Sequence, residues 1–280
     1  MTLLIVGATG QQGGAVCAAA IAAGWPVRAL VRNPDLPQAR ALAERGVQLV
    51  AADLDLPASL VPAFKGVTQV FSVTALDLGN GSREAARGIA AANAAAHAGV
   101  THFVYSAALW TDRPSGVAHF ESKRQVRQRI AELGLPATVL EPGSFMENLL
   151  HPQTVAGVRK GRLVTPFDPD LKLPLVTVAD IGPAALWCLQ QPAQSIGRAF
   201  SLYSERSSSR EHAAAIAAWL GRPISCAKLH PWLTRLFLGH DLARMFKFIH
   251  EDRETPIPAP SLPIAFTSFS DWLQQRRYGK

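Results

Sequence analysis

His119 and Lys123 stand four residues apart in a segment, His119 to Leu133, whose periodicity predicts an amphipathic helix. At that spacing both side chains project from one face. A lysine so placed can hold ribose hydroxyls and lower the proton affinity of a neighbour, while a histidine can exchange a proton near neutral pH. Ser106 ends the apolar run that begins at Thr101, so a strand there would aim it into the same cleft. These three are the candidate catalytic residues. The competing reading is a surface helix on which Lys123 merely pairs with nearby acids.

The start of the chain supplies something for such groups to act on. The apolar run Leu3 to Val6 empties directly into Gly7, Gly10 and Gly13, and an Ala-rich segment, Ala15 to Ala23, follows. Strand, glycine turn and helix in that order set a dinucleotide pyrophosphate on the amides of a helix N-terminus. Gly7 makes the turn, Gly10 lets the backbone approach the phosphates, and Gly13 lets helix and strand pack closely. The end of the second strand then selects the cofactor. Arg32 stands there with no acid before Asp35, and a guanidinium fork suits the 2′-phosphate of NADP(H) better than the bare ribose of NAD(H), which stays admissible. Arg28 is the lesser candidate for the same duty. Asp53, just past the third strand, can accept from an adenine amine or cap the segment after it. Val73 and Thr74 end the fourth strand, where the cofactor ribose should pass, because ligands lie outside the carboxyl ends of parallel strands. Gly143 and Phe145 follow the sixth strand and offer backbone groups and an aromatic wall beside a nicotinamide; Phe145 reads equally well as core.

These positions presuppose a scaffold. Short apolar strands alternate with helical segments as far as Pro142, without hairpin dipeptides, which predicts a parallel sheet covered on both faces. The fold class is therefore α/β, a doubly wound Rossmann-type sheet with a smaller C-terminal α/β lobe. The expected division is residues 1–145 for the dinucleotide-binding domain and 146–280 for a substrate or partner lobe. Residues from about 175 to 190 are expected to return to the main body as one more strand and helix.

Bulk properties narrow the class further. With 28 Lys and Arg against 21 Asp and Glu the formal charge is +7, a field that suits a phosphate-rich ligand. Nucleic acid is the rival partner, but the basic run Lys123, Arg124, Arg127 and Arg129 lacks interleaved aromatics and reads as a solvated helix face. No apolar stretch is long enough for a membrane span, and no secretory leader pattern opens the chain. Cys17, Cys188 and Cys226 are scattered and odd in number, against a disulfide framework or zinc site, and the histidines have no metal spacing. A cytoplasmic protein without a metal is expected, a monomer or homodimer.

GATGQQGG at 7–14, VRNP at 31–34, AHFESK at 118–123, LEPGSFMENLL at 140–150 and VTVADIG at 176–182 together resemble the NmrA-like proteins, an atypical branch of the short-chain dehydrogenase/reductases. ARMFKFIH at 243–250 and DWLQQ at 271–275 extend the likeness over nearly the whole chain. The resemblance implies an NADP(H)-binding Rossmann domain with a small C-terminal lobe. It places Gly7, Thr9, Gly10, Gln11, Gln12 and Gly13 at the pyrophosphate, Arg32 at the 2′-phosphate, and Lys123 and the Phe145 region near the nicotinamide. The departure from ordinary short-chain dehydrogenases is His119, which replaces the tyrosine that protonates the substrate carbonyl. Members of the branch include reductases of quinones and ethers, and also proteins that sense cofactor redox state and bind regulatory partners. The leading expectation is a reductase passing hydride from NADPH to a quinone or related conjugated carbonyl; the alternative is a catalytically inactive redox-sensing regulator.

Overall fold

The apolar run Leu3–Val6 forms β1, fully buried along its length. It is followed by α1 (Gln11–Ala22), β2 (Val27–Val31), α2 (Pro37–Ala43), β3 (Gln48–Ala51), α3 (Leu60–Phe64) and β4 (Gln69–Ser72). Then come α4 (Gly81–His97), β5 (His102–Ser106), α5 (Ala118–Glu132) and β6 (Ala137–Pro142). This computed structural model describes residues 2–77, 80–252 and 254–275, apart from the side chains of 231–238. Residues 78 and 79 of the loop read at Asp77 to Ser82 thus lie outside the described residues. Past that loop, the Asn80 side chain accepts from the Arg83 amide at 3.1 Å and caps α4.

The second part of the chain comprises β7 (Ser144–Phe145), α6 (Pro152–Arg159), β8 (Arg162–Thr165), β9 (Leu173–Val176), α7 (Val178–Gln190), α8 (Pro192–Ser195) and β10 (Ala199–Leu202). It ends with β11 (Glu205–Ser207), α9 (Ser209–Leu220), β12 (Ser225–Lys228), α10 (Pro231–Glu251) and α11 (Phe269–Gln275). Two compact units result. The described residues up to Pro142, with Val178–Ser201 and Ser261–Ile264, make the first; Gly143–Thr177, Leu202–Pro260 and the described residues from Ala265 make the second.

The principal sheet has seven strands in the order β10-β6-β5-β4-β1-β2-β3, and β1 pairs in parallel with both β2 and β4. The strand order reverses between β1 and β4, which opens a crevice above their carboxyl ends. Close helix packing depends on absent side chains. A Cβ on Gly182 of α7 would lie 2.5 Å from the Ala15 carbonyl oxygen of α1. A Cβ on Gly88 of α4 would lie 2.4 Å from a Val126 methyl of α5.

The strand read at Val176 is corrected. It is β9, which pairs with β7 and β11 in a three-stranded sheet of the second unit. Only α7 of that segment belongs with the first unit, and the seventh strand of the large sheet is β10. β10, AFSL, lies beyond Pro142, where the strand-helix alternation breaks, so the sequence pattern passes over it. The second unit has its own core of Met146, Leu163, Leu175, Ile216, Phe269 and Trp272. Beside that core the Glu147 carboxylate accepts from Thr177 Oγ1 at 2.6 Å and Trp272 Nε1 at 3.2 Å.

Candidate nucleotide-binding and proton-transfer site

The glycine turn is built to the limit of close approach. Gly7 has φ of +81°, and a Cβ there would lie 2.7 Å from the Val73 carbonyl oxygen. A Cβ on Gly13 would lie 2.1 Å from the Gly7 carbonyl oxygen, so α1 touches the turn backbone to backbone. The turn is closed by the Gly10 amide donating to the Gly7 carbonyl at 3.0 Å. No side chain caps α1 and its first turn holds no acid, leaving that end electropositive and suited to an anion. Thr9, Gly10 and Gln11 are exposed on this turn. Gln12 is partly buried and its Oε1 accepts from Ser106 Oγ at 2.7 Å. Ser106 is thereby fixed to α1, with its hydroxyl hydrogen committed.

Val73 and Thr74 follow β4 directly, and the Thr74 hydroxyl is buried beside the Tyr105 hydroxyl. Beyond β2, Arg32 is exposed and its guanidinium makes no hydrogen bond or ion pair with the described residues. Arg28 differs. Its guanidinium donates to Gln48 Oε1 at 3.1 Å and to the carbonyls of Ala63 and Lys65 at 3.0 and 2.9 Å. Arg28 closes the end of α3 and is committed to structure, which removes the lesser candidate for the phosphate. Asp53 does not cap a helix with its side chain: its Oδ1 accepts from the Asp55 amide at 3.0 Å in a local turn.

The centre of the site lies where α4 and α5 meet. Gly88 brings these helices together, and Glu84, one turn earlier on the same face, enters the contact with 1% of its surface exposed. Glu84 Oε2 lies 3.1 Å from His119 Nδ1, and Oε1 lies 3.4 Å from Lys123 Nζ. Lys123 is 4% exposed, its Nζ 5.9 Å from the centre of the Tyr105 ring. Apart from the ion pair, that Nζ has no hydrogen-bond partner among the described residues. Glu84 was not among the expected site residues. Its only signal in the sequence is a lone acid on the face of α4 that also carries Gly88.

The electrostatics are coupled. Burial pushes the Glu84 carboxyl up, but the His119 hydrogen bond and the Lys123 charge outweigh it and hold the group below its ordinary value. Burial lowers the affinity of Lys123 for its proton, and Glu84 opposes this only in part. An ionised Glu84 can only accept, so His119 Nδ1 must donate to it, leaving Nε2 as the nitrogen that can exchange a proton. The result is a lysine with unspent donors and a histidine of fixed tautomer on one helix face.

The basic run of α5 is the solvated face expected only in part, because its arginines are partly exposed but paired and Lys123 is buried. Arg124 is bound to Glu121 at 2.7 Å, Arg127 to Glu141, and Arg129 to Glu132 at 3.0 Å, while Lys123 is buried. Internal acids engage this run, so it is not a free cationic stripe. Gly143 and Phe145 belong to the second unit. The Gly143 amide donates to the Leu202 carbonyl at 3.0 Å, and a Cβ there would lie 2.5 Å from the Pro174 carbonyl oxygen. Phe145 is half-buried in β7.

A seven-stranded parallel-paired sheet with a glycine turn at its switch point defines the nucleotide-binding α/β proteins of Rossmann type. The NmrA-like family pattern matches residues 1–262, and the chain belongs to that family. Among its relatives is an NAD(P)H azoreductase of Xenophilus azovorans, 35% identical over 226 residues, covering 79% of this chain and 75% of the relative. A (4-alkanoyl-5-oxo-2,5-dihydrofuran-3-yl)methyl phosphate reductase of Streptomyces griseus is 31% identical over 229 residues, 81% and 77% of the two chains. The fold is shared with a Citrobacter sp. triphenylmethane reductase solved with NADP(H), at a TM-score of 0.86 and 20% identity over 98% of this chain and 99% of that one.

Proposed function

We propose that this chain is an NADP(H)-dependent reductase of a flat conjugated acceptor, a quinone or related conjugated carbonyl, with NAD(H) a poorer cofactor. The observation that carries the reading is the buried Lys123 ammonium, ion-paired to Glu84 and otherwise without a hydrogen-bond partner among the described residues. Burying such a group is costly, and an unspent donor beside Tyr105 of β5 fits the hydroxyls of a nicotinamide ribose. The side-chain-free turn at Gly7, Gly10 and Gly13 fits the same dinucleotide. Both relatives bear names that denote reduction of a conjugated system, an azo group in one and an oxo-dihydrofuran in the other.

The bound nicotinamide would supply the hydride. The turn and the start of α1, with Thr9, Gln11 and Gln12, hold the pyrophosphate; Arg32 takes the 2′-phosphate; Asp53 accepts from the adenine; and Val73 and Thr74 flank the ribose. Lys123 Nζ donates to the ribose hydroxyls and keeps the reacting ring in place. His119 Nε2 delivers the proton that the reduced acceptor takes up, with Glu84 stabilising the imidazolium before transfer. Ser106 acts by holding Gln12. The assignment of Gly143 and Phe145 to the nicotinamide rests on the sequence. A conjugated acceptor spreads the negative charge it gains, so it asks less of the acid than an isolated ketone does. Positioning then supplies most of the rate.

The test is the decay of nicotinamide absorbance with NADPH or NADH and a panel of quinones and enals. Protein-dependent decay that favours NADPH and is lost in Lys123→Ala is expected. Saturable NADPH binding without turnover on any acceptor overturns the reductase reading and favours the redox-sensing regulator.

A further inference from the structure

The second unit contains a cavity of about 670 Å³ that none of the chemistry above uses. It lies between the loop after β8, the end of β12 and the described part of α10. Its volume falls within the range of small-molecule sites, roughly 300–1,000 Å³. Two aromatic rings meet in its wall: Phe167 and Phe246 stand edge to face, with centroids 4.8 Å apart at 73°. Around them are Lys228, Arg244 and Lys247, all exposed. Lys228 and Arg244 form no ion pair with the described residues, and Lys247 reaches only Glu251, at 3.7 Å. Asp168, the acid of the lining, is turned to its own loop, where its Oδ1 accepts from the Asp170 amide at 3.0 Å.

We infer that this cavity binds a flat aromatic anion, a ring system bearing a carboxylate or sulfonate. The apolar wall calls for a ring, which an exposed ring face or edge on Phe167 and Phe246 can stack against. The cations around it call for a negative group, and Lys228 and Arg244, which form no ion pair with the described residues, are free to take one. A simple inorganic anion would leave the aromatic wall bare. A neutral arene would leave the cations without a partner. The inference stands on the second unit alone and does not depend on the reductase reading.

Calorimetric titration of the full chain with naphthalene-2-sulfonate tests it, with methanesulfonate and 2-naphthylmethanol as probes lacking the ring and the charge. Saturable binding of the first, at least tenfold tighter than either control, is expected. Lys228→Ala with Arg244→Ala should weaken it by about tenfold, the worth of roughly 1.4 kcal/mol. Phe246→Leu, which keeps the wall apolar, should weaken it several-fold by removing a ring. Arg32→Ala, in the first unit, should leave it unchanged. The inference is overturned by absence of saturable binding, by equal binding of the neutral probe, or by binding that responds to Arg32→Ala and not to the Lys228 and Arg244 changes. Far-ultraviolet circular dichroism of each variant separates loss of the site from loss of the fold.

Discussion

Two cations of the first unit are assigned to one dinucleotide, and the protein treats them in opposite ways. Lys123 is buried at the contact of α4 and α5, with a carboxylate beneath it and a second helix holding that carboxylate in place. Arg32 stands exposed past the end of β2, its guanidinium in no hydrogen bond or ion pair with the described residues. A charge in the interior loses its hydration and must be compensated before any ligand arrives. A charge in water needs no such support. Removing parts around Lys123 should therefore damage stability and chemistry together, whereas removing Arg32 should change ligand choice alone.

The largest effect is expected from Glu84→Gln. The variant keeps the shape and deletes the charge, leaving Lys123 and His119 without their common partner. Breaking a buried pair from one side costs about 3–5 kcal/mol, and chemical denaturation should show a fall of that order. The double variant Glu84→Gln with Lys123→Met should recover much of this loss, because it removes the stranded charge. Equal losses in the single and double variants would show that Lys123 is not charged in the native protein.

The same pair sets a pH signature. Because the folded protein holds the Glu84 carboxyl below its ordinary 4.5, this group's stabilisation is in place above that pH and is lost as the pH falls beneath it. The acid limb of the stability profile should therefore flatten in Glu84→Gln. An unchanged limb would mean that other carboxylates dominate acid unfolding.

The glycine turn was legible in the sequence because all its parts are local: an apolar run, three glycines and a helix lie within one short stretch, and sterics demand Gly7 and Gly13. The His119 and Lys123 pair was legible for the same reason, since helical period alone puts both on one face. Glu84 was not, because its partner His119 lies 35 positions away on another helix. A single acid in an Ala-rich helix looks solvent-facing until Gly88 is seen to admit Val126. The Ser106 to Gln12 bond, across 94 positions, was hidden in the same way. Arg28 ranked below Arg32 by its place within the strand; that its guanidinium is spent on the carbonyls ending α3 was not legible.

Gly88→Ala probes the packing that buries Glu84 without touching any charge. The added methyl would lie 2.4 Å from Val126 Cγ2, so α4 and α5 must part. Overpacking of this kind costs about 1–3 kcal/mol. The turnover number should fall as well, since Glu84 moves with α4 away from His119 and Lys123. Gly88→Ala combined with Val126→Ala, which makes room for the methyl, should regain turnover along with stability. Stability regained without turnover would detach the helix contact from the function of the pair.

Arg32→Ala should have the smallest effect and the most selective. Arg32 has no hydrogen bond or ion pair with the described residues to lose, so the unfolding midpoint should not move. What disappears is a charge-assisted fork to the 2′-phosphate, in water and therefore modest, about 1.4 kcal/mol or tenfold in NADPH affinity. NADH has no phosphate at that position and should bind as before, so the preference between the two cofactors should narrow by the same factor. Raising the salt concentration should weaken NADPH binding to the parent more than to the variant, because the lost interaction is the one exposed to screening. Equal losses for both cofactors would move the phosphate away from Arg32. The contrast with Lys123 would then reduce to one buried cation and one idle one.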